Sequence, residues 1–124
     1  MSSFLKEDST ISDSYLQKAE ALKNNIIKNL YNSKNNTFYY LIDQNGKAYA
    51  YQEGLGISFA VIFGIIKGEK ADQLIKNAVV SKYGITSIIP DFARYSEEMP
   101  GRHNNLIWPM VNGFFARAAI AVKS

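Results

Sequence analysis

Polar and apolar positions alternate along this chain in blocks that read as helices joined by short turns. From Ser14 the residues Tyr15, Ala19, Leu22, Ile26 and Leu30 recur at intervals of four and three, which is one stripe of a helix surface. Ser14 and Gln17 have the spacing of a capping box at its start, and Lys18, Lys23 and Lys28 take the opposite face. Residues 1–11 precede this pattern and read as a flexible leader, so the expected domain runs from 12 to 124. The cluster "NSKNN" ends the first helix, and "TFYYLI" and "KAYAY" flank "DQNG", where Gly46 can take a positive φ. That arrangement predicts a short β-hairpin.

The segment "YQEGLGISFAVIFGII" follows, and from Ile57 to Ile66 it is apolar on every side apart from Ser58 and Gly64. A helix buried on all faces has this pattern; a strand is the competing reading, and the length of the run favours the helix. Next, "EKADQLIKNAVVSKYG" predicts a second striped helix, with Ala71, Leu74, Ile75, Ala78 and Val79 on one face and Gly84 at its C-terminal turn. A loop is expected from Ile85 to about Asn104, carrying Pro90 and Pro100. "LIWPMVNGFFARAAIAVK" then predicts a last helix that is apolar nearly all round, with Pro109 in its first turn.

Two units of the same kind result, each a striped helix, an irregular connection and a wholly apolar helix, repeating after about 55 residues. Inner helices wrapped by outer ones produce that order. The expected fold is therefore all-α, a partial (α/α)6 toroid of two outer/inner helix pairs with a short β-hairpin inside the first pair. Six such units would need on the order of 330 residues, so the chain reads as about one third of an α/α barrel.

Composition narrows the chemistry. There is no cysteine, which removes disulfides and thiolate catalysis. The net charge of +3 arises from 14 basic against 11 acidic side chains, with the lysines scattered between Lys6 and Lys123 without a basic block, so no nucleic-acid partner is expected. Arg94, Arg102 and Arg117 all fall in the last third, where they can fork carboxylate or hydroxyl ligands or simply face solvent. The apolar run 57–66 is too short to span a bilayer, and the polar start "MSSFLKEDST" has no signal-peptide core. A cytoplasmic protein without a membrane partner is expected, and abundant Asn, Lys and Ile suggest an AT-rich bacterial genome.

The densest polar cluster stands in "GRHNNLIWPMVNGFFARAA". Together with "YQEGLGISFAVIFGII" and "YGITSIIPDFARY" it resembles the C-terminal part of the six-hairpin glycosidase superfamily, in particular the bacterial glycogen-debranching-like and mannosylglycerate-hydrolase-like members. There a Tyr-His-Asn element ahead of Ile-Trp-Pro leads an inner helix of the barrel; Arg102 stands here where many relatives carry the Tyr. The resemblance covers residue 14 onward and implies a glycoside hydrolase that contributes sugar-binding residues to a barrel active site. It also implies that general acid and base come from segments before and after this region. Activity is therefore open, with the chain either part of an enzyme or inactive alone, and a non-catalytic carbohydrate-binding or assembly module is the alternative.

The residue chemistry agrees with a saccharide ligand. Asn104 and Asn105 donate and accept at once, Arg102 forks two oxygens, His103 does either according to tautomer, and Trp108 offers a flat face to a pyranose. Tyr51 and Gln52 are further substrate-binding candidates beside Glu53. Each residue also has a plainer reading: Asn104 as a helix cap, His103 as a satisfied loop residue, Trp108 as core. Glu53, just ahead of an apolar helix, is a candidate general acid or base, or else a charge complementing the helix N-terminus. Asp91 in "IIPDFARY" is the second catalytic candidate, and inversion at a sugar needs two such carboxyl groups. No cofactor is expected, and no metal, since a lone His with no carboxylate at ligand spacing is a poor site. Open apolar faces on an isolated pair of repeats lead us to expect self-association or association with the rest of a barrel.

Overall fold

The computed structural model describes residues 2–92 and 106–123, with side chains from residue 11 onward. Within them the fold is mixed α/β and not all-α: it has four helices and eight strands of two residues each. Helix α1 spans Ser2–Leu30. Strands β1 (Tyr31–Asn32), β2 (Thr37–Phe38), β3 (Leu41–Ile42), β4 (Ala48–Tyr49) and β5 (Gln52–Glu53) lead to α2 (Gly54–Ile62) and α3 (Gly68–Lys76). Strands β6 (Val80–Ser81), β7 (Gly84–Ile85) and β8 (Ile88–Ile89) then precede α4 (Pro109–Ala121).

The expected all-α toroid of outer and inner pairs is thereby corrected. Its connections are not irregular, because half-buried backbone in them needs hydrogen-bond partners and finds them in antiparallel pairs. The pairs are β1 with β2, β3 with β4, β6 with β7, and, across a long sequence separation, β5 with β8. In the last of these Gln52 faces Ile89 and Glu53 faces Ile88.

The expected hairpin at "DQNG" forms as β3 and β4, with Leu41 opposite Tyr49 and Gly46 at φ +78°. Asp43 organises the turn. Its Oδ1 accepts the N–H of Asn45 and of Lys47, both at 2.9 Å, and its Oδ2 accepts the Tyr49 hydroxyl at 3.3 Å. The bond from the Lys47 N–H holds the Asp43 carboxyl below its ordinary pKa; desolvation, the next effect in size, opposes it, and the bonds from Asn45 and Tyr49 add to the lowering.

The first helix begins at Ser2 and not at Ser14, running through the residues read as a leader. Its stripe is not covered as an outer helix requires: Tyr15 and Leu22 are exposed, and only Ile26 and Leu30 near its C-terminal end are half-buried. Residues 57–66 are not a strand. They enter α2, which ends at Ile62; Gly64 then turns the chain at φ +64°, and the Ile66 N–H returns to the Ala60 carbonyl at 3.0 Å.

The second striped helix stops at Lys76, with Asn77 at its C-cap. Ala71 and Leu74 are buried as expected, but Ala78 and Val79 lie beyond the helix and Gly84 is not its terminus. Val79 and Val80, both β-branched, leave the helical conformation for the β6–β7 hairpin, in which Gly84 sits at φ +128°. Strand β8 in turn replaces part of the loop expected from Ile85.

Helix α4 starts as expected, with Pro109 in its first turn. It is not buried on all faces: Val111 and Ala118 are buried, Phe115 and Val122 pack beside them, and Met110 and Ile120 are exposed. Only one side of α4 meets α2 and α3. The core collects Ile57, Ala60, Val61, Ile66, Leu74, Ile85 and Val111 between these three helices. Helices α2 and α4 advance side by side from adjacent N-termini. A Cβ on Gly54 would lie 3.0 Å from Val111 Cγ1 and 2.8 Å from the Thr86 carbonyl oxygen, and further along the Phe59 and Phe114 rings meet edge to face at 4.9 Å.

Candidate functional site

Glu53 closes β5 with an extended backbone, φ −118° and ψ 112°, and is the N-cap of α2. Its Oε1 accepts the Leu55 N–H at 3.1 Å and its Oε2 accepts the Gly56 N–H. The side chain thus satisfies two donors that a helix N-terminus otherwise leaves free. Gly56 makes the close approach possible, since a Cβ there would fall 2.7 Å from Oε2.

A short relay of hydrogen bonds joins this end of α2 to the start of α4. The Gly54 N–H donates to the Ser87 carbonyl at 3.0 Å, and the Ser87 N–H and hydroxyl both donate to the Leu106 carbonyl, at 3.0 and 3.2 Å. Ser87 is buried, so these bonds form away from water. Two residues after Leu106, Trp108 is the N-cap of α4 and packs half-buried against the core.

Between the two helix N-termini lies a cavity of about 340 Å³. Glu53, Leu55, Ser87, Trp108, Met110 and Val111 line it together with the rings of Tyr40 and Phe92. Tyr40 comes from the connection between β2 and β3, and Phe92 follows β8. Phe92 sits 5.6 Å from the Tyr40 ring and 5.4 Å from the Tyr51 ring, and Tyr51 in turn meets Tyr49 at 6.0 Å. The volume falls within the usual range for small-molecule sites. Aromatic faces, the Glu53 carboxylate and the Ser87 hydroxyl therefore border a single space.

The residues singled out from sequence separate into groups. Glu53 and Trp108 come together at this cavity. Tyr51 stays outside it but supports Phe92. The carboxamide of Gln52 is engaged elsewhere: Nε2 donates to the Val79 carbonyl at 3.0 Å and Oε1 accepts the Val79 N–H at 2.7 Å. Asp91 is exposed beyond β8 and does not line the cavity. Arg94, Arg102, His103, Asn104 and Asn105 lie outside the described residues.

Sequence reasoning missed Tyr40, Ser87, Phe92 and Met110. The aromatic letters of "TFYYLI" and "PDFARY" were the available signal, yet only the β5–β8 pairing and the hairpin bring them to the same place. It also missed Asn112, whose amide fixes the wall behind Trp108. Asn112 Oδ1 accepts the Ile85 N–H at 2.9 Å, and Nδ2 donates to the Ile85 carbonyl at 3.0 Å and to the Trp108 carbonyl at 3.1 Å.

Among the described residues no group of three or more His, Cys, Asp and Glu side chains gathers as a metal site needs. No described helix is long and apolar enough to cross a membrane. Comparison with known proteins adds no family: no family model, no curated protein and no solved structure matches the chain.

Proposed function

We propose that this chain binds a saccharide in the cavity between the N-termini of α2 and α4, as the sugar-contacting part of a glycoside hydrolase-like protein. The observation that carries the reading is the meeting of Trp108 and Glu53 at one cavity that Tyr40 and Phe92 also wall. A pyranose has a C–H face that packs on an aromatic ring and hydroxyls that need acceptors. Trp108, Tyr40 and Phe92 supply the first requirement. Glu53 meets the second with the lone pairs left over from capping, because each carboxylate oxygen can accept more than one hydrogen bond.

The same capping favours a second reading, a module that binds without turnover. Both Glu53 oxygens already serve the helix N-terminus, and no second carboxylate lines the cavity among the described residues. Hydrolysis with inversion uses two. Turnover of aryl glycosides that disappears in Glu53→Gln would assign the chain to the enzyme; binding without turnover assigns it to the module.

The single Trp in the sequence is Trp108, so intrinsic fluorescence reports on the site directly. Titration with methyl glycosides of glucose, mannose and galactose should give a saturable change with at least one of them. In Trp108→Phe the affinity should fall modestly and in Trp108→Ala by tenfold or more, read by ligand-observed NMR, since losing a buried aromatic anchor costs about 1.5–2 kcal/mol. No saturable response to any glycoside at millimolar concentration would refute the proposal.

A further inference from the structure

Helix α1 is 29 residues long, about 43 Å at the usual rise, yet it meets the rest of the chain chiefly through β1, its own continuation. Every residue from Ile11 to Leu22 is exposed, and none of its described side chains is buried. Ile11, Tyr15, Ala19 and Leu22 recur there at intervals of four, four and three and form one stripe, with Tyr15 67% and Leu22 61% exposed. Ile26 and Leu30 continue the stripe, half-buried, to the place where they border one cavity with Phe59 and Ala60 of α2. The stripe is therefore sheltered at its C-terminal end and open ahead of it. A helix open on all sides is marginal in water, because most helical stability comes from packing an apolar face.

The charges along α1 indicate what covers it. Residues 2–16 carry Lys6 against Glu7, Asp8 and Asp13, a surplus of two negative charges; residues 17–30 carry Glu20 against Lys18, Lys23 and Lys28, a surplus of two positive ones. Glu20 and Lys23 pair within the helix at 3.5 Å, so Lys18 and Lys28 make up the second surplus. From this pattern we infer that α1 packs antiparallel against α1 of a second copy of this chain, stripe to stripe, in a two-fold symmetric dimer. The acidic half of each helix then lies beside the basic half of the other, and the two helix dipoles oppose. A parallel pair would instead set like charges side by side. The two-fold axis uses the same stripe on both copies, so association closes at two. Because α1 is neutral as a whole, an anionic lipid surface has no net charge on it to attract.

The surface area agrees. The chain exposes 9147 Å², whereas a compact monomer of 13.9 kDa exposes about 6,700 Å². The surplus is larger than the roughly 800 Å² that each partner gives up in a standard interface. The inference is independent of the saccharide reading and uses none of the residues at the cavity between α2 and α4.

Sedimentation equilibrium of the full chain, from micromolar to submillimolar concentration, tests it. The expected species is a dimer of about 28 kDa, twice the 13.9 kDa of one chain, and helix content by circular dichroism should rise as the dimer forms. Tyr15→Lys and Leu22→Lys each place a charge in the stripe, twice per symmetric dimer, and each should raise the dissociation constant tenfold or more. Both side chains are exposed in the single chain, so the emission of Trp108, which packs against the core, should be unchanged in either variant. Added salt should weaken the dimer, since it screens an attraction. Orientation is read from nitroxide labels on Ser3→Cys, in a chain with no other cysteine. Antiparallel pairing about the middle of α1 separates the two labels by about 30 Å or more, against roughly 10 Å between the axes of a parallel pair.

A chain that stays monomeric at every concentration, whether or not it binds vesicles of anionic lipid, would overturn the inference. A dimer that survives unchanged in both lysine variants would do the same, as would one that salt strengthens or one whose labels stand at the parallel distance.

Discussion

Replacing Asn112 by Ala should unfold this protein more readily than any other single truncation of a polar side chain outside the cavity. The Asn112 carboxamide receives the Ile85 N–H and donates to the Ile85 carbonyl, and Ile85 is fully buried at 0% exposure. Truncation leaves both of these backbone groups without their side-chain partner, in a place where water does not reach. A buried polar group deprived of its partner costs about 1–3 kcal/mol, so the pair amounts to about 2–4 kcal/mol. The Trp108 carbonyl adds little to the sum, because it keeps the Asn112 backbone N–H at 3.1 Å. Against a typical total of about 5–15 kcal/mol this is a large fraction, and it corresponds to a melting point lower by on the order of 10 °C.

Urea denaturation followed by far-ultraviolet circular dichroism measures the loss, with an unchanged slope as the sign that only stability has moved. Gly84 provides an internal control. A Cβ on it would fall 2.1 Å from Asn112 Oδ1, and its φ of +128° disfavours any side chain. Gly84→Ala alone should cost about 2–4 kcal/mol. In the Asn112→Ala background the steric part vanishes and only the backbone strain remains, so the two substitutions should combine to less than their sum by about 1 kcal/mol or more. A loss below about 0.5 kcal/mol for Asn112→Ala, or strict additivity of the pair, would refute the account of this contact.

Gly113 lies on the exposed side of α4 with a helical backbone, and a methyl group added to it would meet nothing within 4 Å. Gly113→Ala should therefore raise stability by about 0.5–1 kcal/mol in the same urea assay. Asp43 should confer acid sensitivity on the β3–β4 hairpin. Its pKa is lower folded than unfolded, so its contribution is complete above the unfolded value of about 3.9 and is lost as the pH falls through the lower folded value. Amide NMR signals of Asn45 and Lys47, whose N–H groups it receives, should shift in that window, and Asp43→Asn should abolish the transition.

How much of this was legible in the sequence depended on how local the signal was. The hairpin at "DQNG", the helix through Ile57–Ile62 and the start of α4 at Pro109 each follow from a few neighbouring residues, and each forms. The β-structure did not show, because strands of two residues are too short to leave an alternating pattern, and β5 finds β8 across more than thirty positions. The end of α3 was misplaced for a related reason. Ala78 and Val79 continue the helical stripe in sequence, but their neighbours Val80 and Gly84 favour a hairpin. The exposed sides of α1 and α4 show that an apolar pattern states what a helix is able to bury, while burial itself depends on which elements come to cover it.

Of the site, Glu53 and Trp108 were found because each directly precedes an apolar helix, and helix starts that pack side by side place their caps together. Gln52 is instructive in the other direction. The amide suited to a sugar hydroxyl is equally suited to a peptide group, and the Val79 backbone occupies it. Tyr40 and Phe92 reach the cavity only through tertiary pairing, and nothing in their immediate neighbourhood announces it.

Gln52 at Val79 and Asn112 at Ile85 grip the two sides of the β6–β7 hairpin at the end opposite its turn, each presenting a carboxamide in the place that the peptide unit of another strand would take. A ribbon whose main-chain donors and acceptors are already matched in this way offers fewer sites on which a foreign strand can nucleate. The two amides thereby shield a segment rich in valine from edge-to-edge polymerisation, a safeguard that neither residue's hydropathy would reveal.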